Sequence, residues 1–296
     1  MTAVGQQAFN RAAADALRQC ALLLRRQNAN PFRANAYVRA AETLESLSAD
    51  AREILRERGA AGLAELPAIG VGLASAIAEM AATGRLSRLE RLRGSVDPEG
   101  LLQSVPGIGA SLARLLHERL HIGTLEALEI AAHDGRLEQL PGIGPRRAAA
   151  IRANLAALLG RVDRPREPAP LDIPAVAEIL DVDRQYRRDA AAGKLPLIAP
   201  RRFNPEHKAW LPVLHTERGP WHFTALFSNT AKAHELGRTR DWVVIYYHDD
   251  DHREAQRTVV TETHGALTGR RVVRGHEGDC AAYYAAVDTA ATARSA

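Results

Sequence analysis

Cysteine is scarce: only Cys20 and Cys280 occur in 296 residues, far apart in the chain. That spacing excludes a disulfide framework and a cysteine zinc site, and makes a reducing cytoplasm the expected compartment. Lysine is scarcer still relative to the total basic count. Of 39 basic residues only Lys194, Lys208 and Lys232 are lysines, and the first 193 residues carry none. A lysine nucleophile is therefore excluded from the front of the chain, and arginine cannot replace it because it stays protonated. Aromatics make up 5%, and all three tryptophans lie beyond residue 200. No long apolar run and no secretory pattern are present. Residues 1–18 are amphipathic with charges throughout, which reads as neither signal nor membrane span.

Charge is nearly balanced but unevenly placed. Through Pro170 there are 22 Arg and Lys against 18 Asp and Glu, and from Leu171 onward 17 against 17. The whole excess of +4 sits in the front part, which gives mild support for a polyanion partner. An apolar fraction of 46% is ample for packed cores, and the length suits two domains of ordinary size.

What is present is a sentence written three times. It reads Leu66-Pro67-Ala68-Ile69-Gly70-Val71-Gly72, then Val105-Pro106-Gly107-Ile108-Gly109-Ala110-Ser111, then Leu140-Pro141-Gly142-Ile143-Gly144-Pro145-Arg146. Proline ends the preceding helix, and glycine permits positive φ and close backbone approach. The isoleucine plugs the bend into its own helix pair. An alanine-rich amphipathic stretch follows each copy, and the first amides of the helix it forms lack intrahelical partners, a ready anion site. An ordinary capping turn would explain one copy, but not three in the same context. The unit resembles the helix-hairpin-helix motif of DNA repair proteins.

Around these bends the periodicity is helical throughout. It predicts helices over residues 6–26, 35–47, 50–58, 73–82, 86–92, 112–120, 124–133 and 147–159. Residues 94–100 read as a turn-rich link, Thr124 as an N-cap and Asp134-Gly135 as a stop. Three segments together are similar to the N-terminal part of family X DNA polymerases, the polymerase beta group. They are Asn30-Pro31-Phe32-Arg33-Ala34-Asn35-Ala36-Tyr37, residues 66–86 ending in Thr83-Gly84-Arg85-Leu86, and residues 105–151.

The resemblance covers about residues 6–158. It implies a lyase-like helical domain over 1–93 and a tandem helix-hairpin-helix domain over 94–160. It also implies a grip on the 5′-phosphate side of a gap by the first bend and on the primer side by the next two. Arg33 and Tyr37 match family positions that touch the 5′-phosphate, while a tyrosine packed at a helix interface is the other reading of Tyr37. The family's imine-forming lysine falls on Ala76 and a second family lysine on Gly72, so lyase chemistry is expected to be absent. The family's palm, with its Gly-Ser step and three carboxylates, finds no counterpart: Asp181-Val182-Asp183 lies in an expected helix and has no such step before it.

Residues 161–174 read as a linker. Residues 175–290 then suggest a small α+β domain of unrecognised family, making the whole an all-α helix-hairpin-helix N-terminal region followed by a small α+β C-terminal domain. Strands are expected at 209–215, 221–227, 241–247, 257–262 and 270–274, giving about five. Helices are expected at 173–192, 229–236 and 277–286, with a frayed alanine-rich end. Two constellations there invite a chemical reading. His248-Asp249-Asp250-Asp251-His252 contains metal-ligand types, with His248, Asp249 and Asp251 the candidates, but five polar residues between strands also make a solvated hairpin tip. Arg201-Arg202-Phe203-Asn204, with His215, His222 and Arg240, could hold phosphate and stack a base, or simply roof an aromatic core.

The expected site is thus a set of phosphate-facing backbone groups at Gly70, Gly72, Gly107, Gly109, Ala110, Gly142 and Gly144, with Arg146, Arg147, Arg33 and Tyr37 beside them. Arg114 and Arg152 are further arginines on the helices after the bends. The reading requires no cofactor and leaves room for a monovalent cation at a hairpin. It names DNA as partner, other repair proteins through the C-terminal domain, no membrane, and a bacterial, cytoplasmic, nucleoid-associated setting. The rival expectations are a metal-dependent nuclease with its centre in the C-terminal domain, and an interaction scaffold whose bends only pack.

Overall fold

The computed structural model describes residues 3–94, 97–120, 122–159, 173–249 and 254–295. The expected linker at 161–174 falls almost wholly outside them. The front of the chain is helical: α1 (Ala3–Arg26), α2 (Pro31–Ser46), α3 (Ala51–Ala64), α4 (Val71–Thr83) and α5 (Ser87–Leu92). Local chemistry sets the boundaries. Asn30 caps α2 by accepting from the Phe32 amide at 2.9 Å, with Pro31 at the first position, and Asp50 caps α3 through the Arg52 amide. Gly84 ends α4 at φ 68°, returning its amide to the Met80 carbonyl. The helix expected over 50–58 runs on to Ala64: Gly59 at φ 64° kinks α3 without ending it.

A second helical set follows: α6 (Pro98–Leu102), α7 (Ala110–Leu120), α8 (Leu125–His133) and α9 (Pro145–Leu158). The helix α6 replaces part of the link expected at 94–100, because Asp97 caps it and Pro98 starts it. Thr124 caps α8 through the Ala127 amide at 3.0 Å, and α8 gives way to Gly135 at φ 82°. Each set has its own apolar core, one running from Ala13 to Leu92 and the other from Leu101 to Leu159.

The C-terminal part opens with α10 (Val176–Ala191) and continues as β1 (Leu197–Ile198), β2 (Leu211–Arg218), β3 (Trp221–Phe227), α11 (Ala231–Glu235), β4 (Val243–His248), β5 (Glu254–Thr261), β6 (Arg271–Val273) and α12 (Glu277–Ser295). Among the described residues these form a six-stranded antiparallel meander in sequence order. One more strand exists than expected, the two-residue β1, too short to show alternation. Thr230 caps α11 through the Ala233 amide. The alanine-rich end, expected to fray, is helical through Ser295.

Alternation gives the sheet two faces. Trp221, Phe223, Val243, Ile245 and Tyr247 share one core with Ile179, Val182 and Tyr186 of α10 and Cys280 of α12. Asp183 of the expected carboxylate pair is buried there, held by the Arg271 guanidinium at 2.7 and 2.9 Å. The other face carries His215, Thr224, Tyr246 and Gln256 and meets the helical region. The Gln27 amide group donates to the Leu92 carbonyl, so its oxygen faces the His215 ring at 2.9 Å. The Arg91 guanidinium lies 3.7 Å over the Tyr246 ring, and Asn30 donates to Glu217 at 2.8 Å. No described helix is long and apolar enough to cross a membrane.

Candidate nucleic-acid interface

The three bends share one geometry. The carbonyl of Leu66, Val105 or Leu140 accepts from the amide of Ile69, Ile108 or Ile143 at 3.0–3.2 Å, closing a four-residue turn. Proline occupies its second position, and the third stands at positive φ: 60° at Ala68, 90° at Gly107 and 83° at Gly142. That is the type II pattern, which favours glycine at the third position. Ala68 adopts it with a Cβ attached.

The isoleucines plug inward, only 2%, 4% and 3% exposed at Ile69, Ile108 and Ile143. The prolines and glycines flanking Ile108 and Ile143 stay exposed, as do Pro67, Ala68 and Gly70 in the first bend. Gly72 is buried one turn deeper.

Each helix begins late enough to leave donors over. The first helical bonds run from Ala74 to Gly70, Ala113 to Gly109 and Ala148 to Gly144, at 2.9–3.1 Å. The amides of residues 71–73, 110–112 and 146–147 therefore precede the ladder, and neither Gly70 nor Gly144 supplies a side-chain cap. Pro145 removes one donor from the third bend. A Cβ added at Gly107, Gly109, Gly142 or Gly144 would meet nothing within 4 Å. Amide donors, helix N-terminal partial charge and open space coincide at these bends, and that combination suits an oxyanion.

The arginines divide by role. Arg147 reaches back to the Gly142 carbonyl at 3.2 Å and across to the Gly107 carbonyl at 3.1 Å, tying the second and third bends together. Asn154 adds a bond to the Pro106 carbonyl at 2.9 Å. Arg147, expected beside the phosphates, thus also joins the two bends. Arg146 is exposed on α9. Arg152 is turned inward to the Ala132 carbonyl and Glu138, and Arg114 stands 3.9 Å from Glu99.

The residues carried over by resemblance scatter. Tyr37 is 3% exposed and its hydroxyl accepts from Arg88 at 3.0 Å, so its ring packs in a helix interface. Arg33 lines a cleft of about 420 Å³ between the start of α2 and the β2–β3 hairpin, together with Phe32, Glu217 and His222. Ala76 is buried in the first core. In the C-terminal part, His248 is buried and its ring stacks on His222 at 4.9 Å, while Asp250, Asp251 and His252 lie outside the described residues. No described group of three His, Cys, Asp or Glu residues could hold a metal ion. The Arg201–Asn204 constellation is also dispersed, since His215 faces Gln27 and His222 faces Glu217. Burial pushes the His215 imidazole down to about 3, and the charges of Arg33 and Arg91 add to the effect.

Comparison with known proteins agrees with this geometry. Residues 8–86 match the family described as the helix-hairpin-helix domain, and residues 99–157 the SAM-like helix-hairpin-helix tandem. Over 117 residues, 39% of this chain, the sequence is 32% identical to the DNA polymerase/3'-5' exonuclease PolX of Bacillus subtilis (strain 168). The matched stretch is 19% of that relative's length, so the chain spans about a fifth of it. The front half of the chain is a helix-hairpin-helix region of the kind that family X DNA polymerases carry.

Proposed function

We propose that this protein binds DNA by its sugar-phosphate backbone, without reading base sequence, and serves repair as a non-catalytic grip on gapped, nicked or 5′-phosphorylated duplex. The observation that carries the reading is the set of exposed bends whose leading amides precede the helical ladder, with open space at four of their glycines. Amides aimed at phosphate position a protein on DNA and carry no base information. The preferred DNA structure comes from the family resemblance. Lyase chemistry finds no amine: the matching position is Ala76, enclosed in the first core.

The test uses Gly109→Leu and Gly144→Leu. Gly144 sits at φ −87°, Gly109 is not among the positive-φ residues, and both have room for a Cβ. The fold should survive, and only the approach of a phosphate should suffer. Losing a charge-assisted bond worth about 1.5–3 kcal/mol should weaken duplex binding roughly 10- to 100-fold by fluorescence anisotropy, whatever the base sequence. Unchanged affinity in both folded variants would refute the reading. Magnesium-dependent cleavage of the probe would refute its non-catalytic part.

A further inference from the structure

One sequence feature is not absorbed by the bends. The loop from residue 199 to 208 presents Phe203 at φ 53°, a left-handed conformation that costs a bulky aromatic residue free energy. The ring is 46% exposed. The loop is not slack. Buried Asn204 donates to the Pro200 and Lys208 carbonyls at 2.9 and 2.8 Å and accepts from the Lys208 amide at 3.1 Å. Asn229 donates to the Arg202 carbonyl at 3.0 Å. A strained, exposed ring is thus held in place by the structure around it.

The surroundings give that ring a use. Behind it the His234 ring lies at 4.4 Å and 33°, and Trp210 meets His234 edge-on at 6.5 Å. Burial lowers the His234 pKa, which favours the uncharged ring behind the stack. The Arg202 guanidinium lies over the Phe203 ring, 5.4 Å from its centroid, and an incoming base would take its place or share the ring with it. Two of the chain's three lysines belong to the same segments: Lys208 ends the loop, and Lys232 is on α11, the helix that carries His234. Their pairs with Glu206 and Glu235 are exposed and therefore weak, readily exchanged for phosphate. Arg201 adds an exposed cation. The loop is also anchored to the link between the two helical sets: the Arg201 amide bonds the Gly94 carbonyl, and Arg202 reaches Asp97 at 3.4 Å.

We infer that Phe203 is a stacking platform for one unpaired base of single-stranded DNA, with Lys208, Lys232 and Arg201 against the flanking phosphates. A duplex base has both faces occupied, so this platform discriminates for unpaired nucleotides, whereas the bends do not. The inference rests on the DNA-binding reading and adds to it the single-stranded part of the substrate.

Phe203→Gly tests it cleanly, because glycine adopts the loop's φ without strain and the fold should be no less stable. The full chain is titrated against fluorescein-labelled 12-nucleotide oligo-dT and against blunt duplex. Phe203→Gly should weaken oligo-dT binding about 5- to 100-fold, with duplex binding within about twofold of the parent, and Phe203→Tyr should keep both. An oligo-dT affinity unchanged by Phe203→Gly, equal losses on both probes, or no binding of oligo-dT by the parent would each overturn the platform. The Gly109→Leu and Gly144→Leu variants separate the two readings: unaltered duplex affinity there would sink the bend hypothesis alone.

Discussion

Arg147 and Arg146 are neighbours on α9, and the structure gives them different surroundings. Arg147 spends its guanidinium on two carbonyls, Gly142 at 3.2 Å and Gly107 at 3.1 Å. Bonds to an exposed charged group contribute about 0.5–1 kcal/mol each, so Arg147→Ala should release about 1–2 kcal/mol of bend-to-bend registration. If the two bends must be spaced to meet neighbouring phosphates, duplex affinity falls about 5- to 30-fold. If Arg147 serves only to join the bends, the slope of log K against log salt should stay that of the parent. Arg147→Lys keeps the charge but cannot fork between two carbonyls, and should lose as much as Arg147→Ala. Arg146→Ala should behave in the contrary way, flattening the slope by about 0.9, one phosphate's worth. Anisotropy titrations from 50 to 300 mM KCl supply all the slopes. Full affinity in Arg147→Lys, or a slope lowered by about 0.9 in Arg147→Ala, would refute the assignment.

Two further outcomes follow from the geometry. Ala68 takes the turn position that glycine fills in the other bends, at φ 60°, so Ala68→Gly should stabilise by about 0.5–1 kcal/mol in urea unfolding, while Gly142→Ala costs about 1 kcal/mol. His215 is neutral in the folded state and titrates near 6.5 when unfolded, so its contribution is complete above pH 6.5 and lost as the pH falls toward 3. At pH 5 that loss is at most about 2 kcal/mol, because pH 5 lies about 1.5 units below the unfolded value and each unit is worth about 1.4 kcal/mol. The pH 7 to 5 change in stability should shrink in His215→Gln.

The bends were legible because their information is local. Proline before, glycine at positive φ and isoleucine as the plug each specify backbone within four residues, and the structure repeats them three times. The long strands were legible from alternation, and β1, at two residues, was not. What sequence could not supply is tertiary. Nothing in the Arg146-Arg147 pair says which side chain faces the neighbouring bend. Nothing around Tyr37 says that Arg88 will cover its hydroxyl. The polar residues His215, Tyr246 and Gln256 share one face of the sheet in the structure, and their order in the chain carries no sign of what covers it. They meet Gln27, Arg91 and the Gly123 backbone, and a polar interface between elements has the composition of a surface. The same composition left Arg201–Asn204 ambiguous until Asn204 proved to be the buried brace of its loop.

The most direct measurement is an amide-resolved NMR titration of the full chain with two duplexes of equal length and scrambled sequence. The account requires the amides of Gly109, Ala110, Ser111, Gly144 and Arg146 to shift together, by the same pattern with either duplex and less at high salt. Duplex binding with those amides unmoved would contradict it.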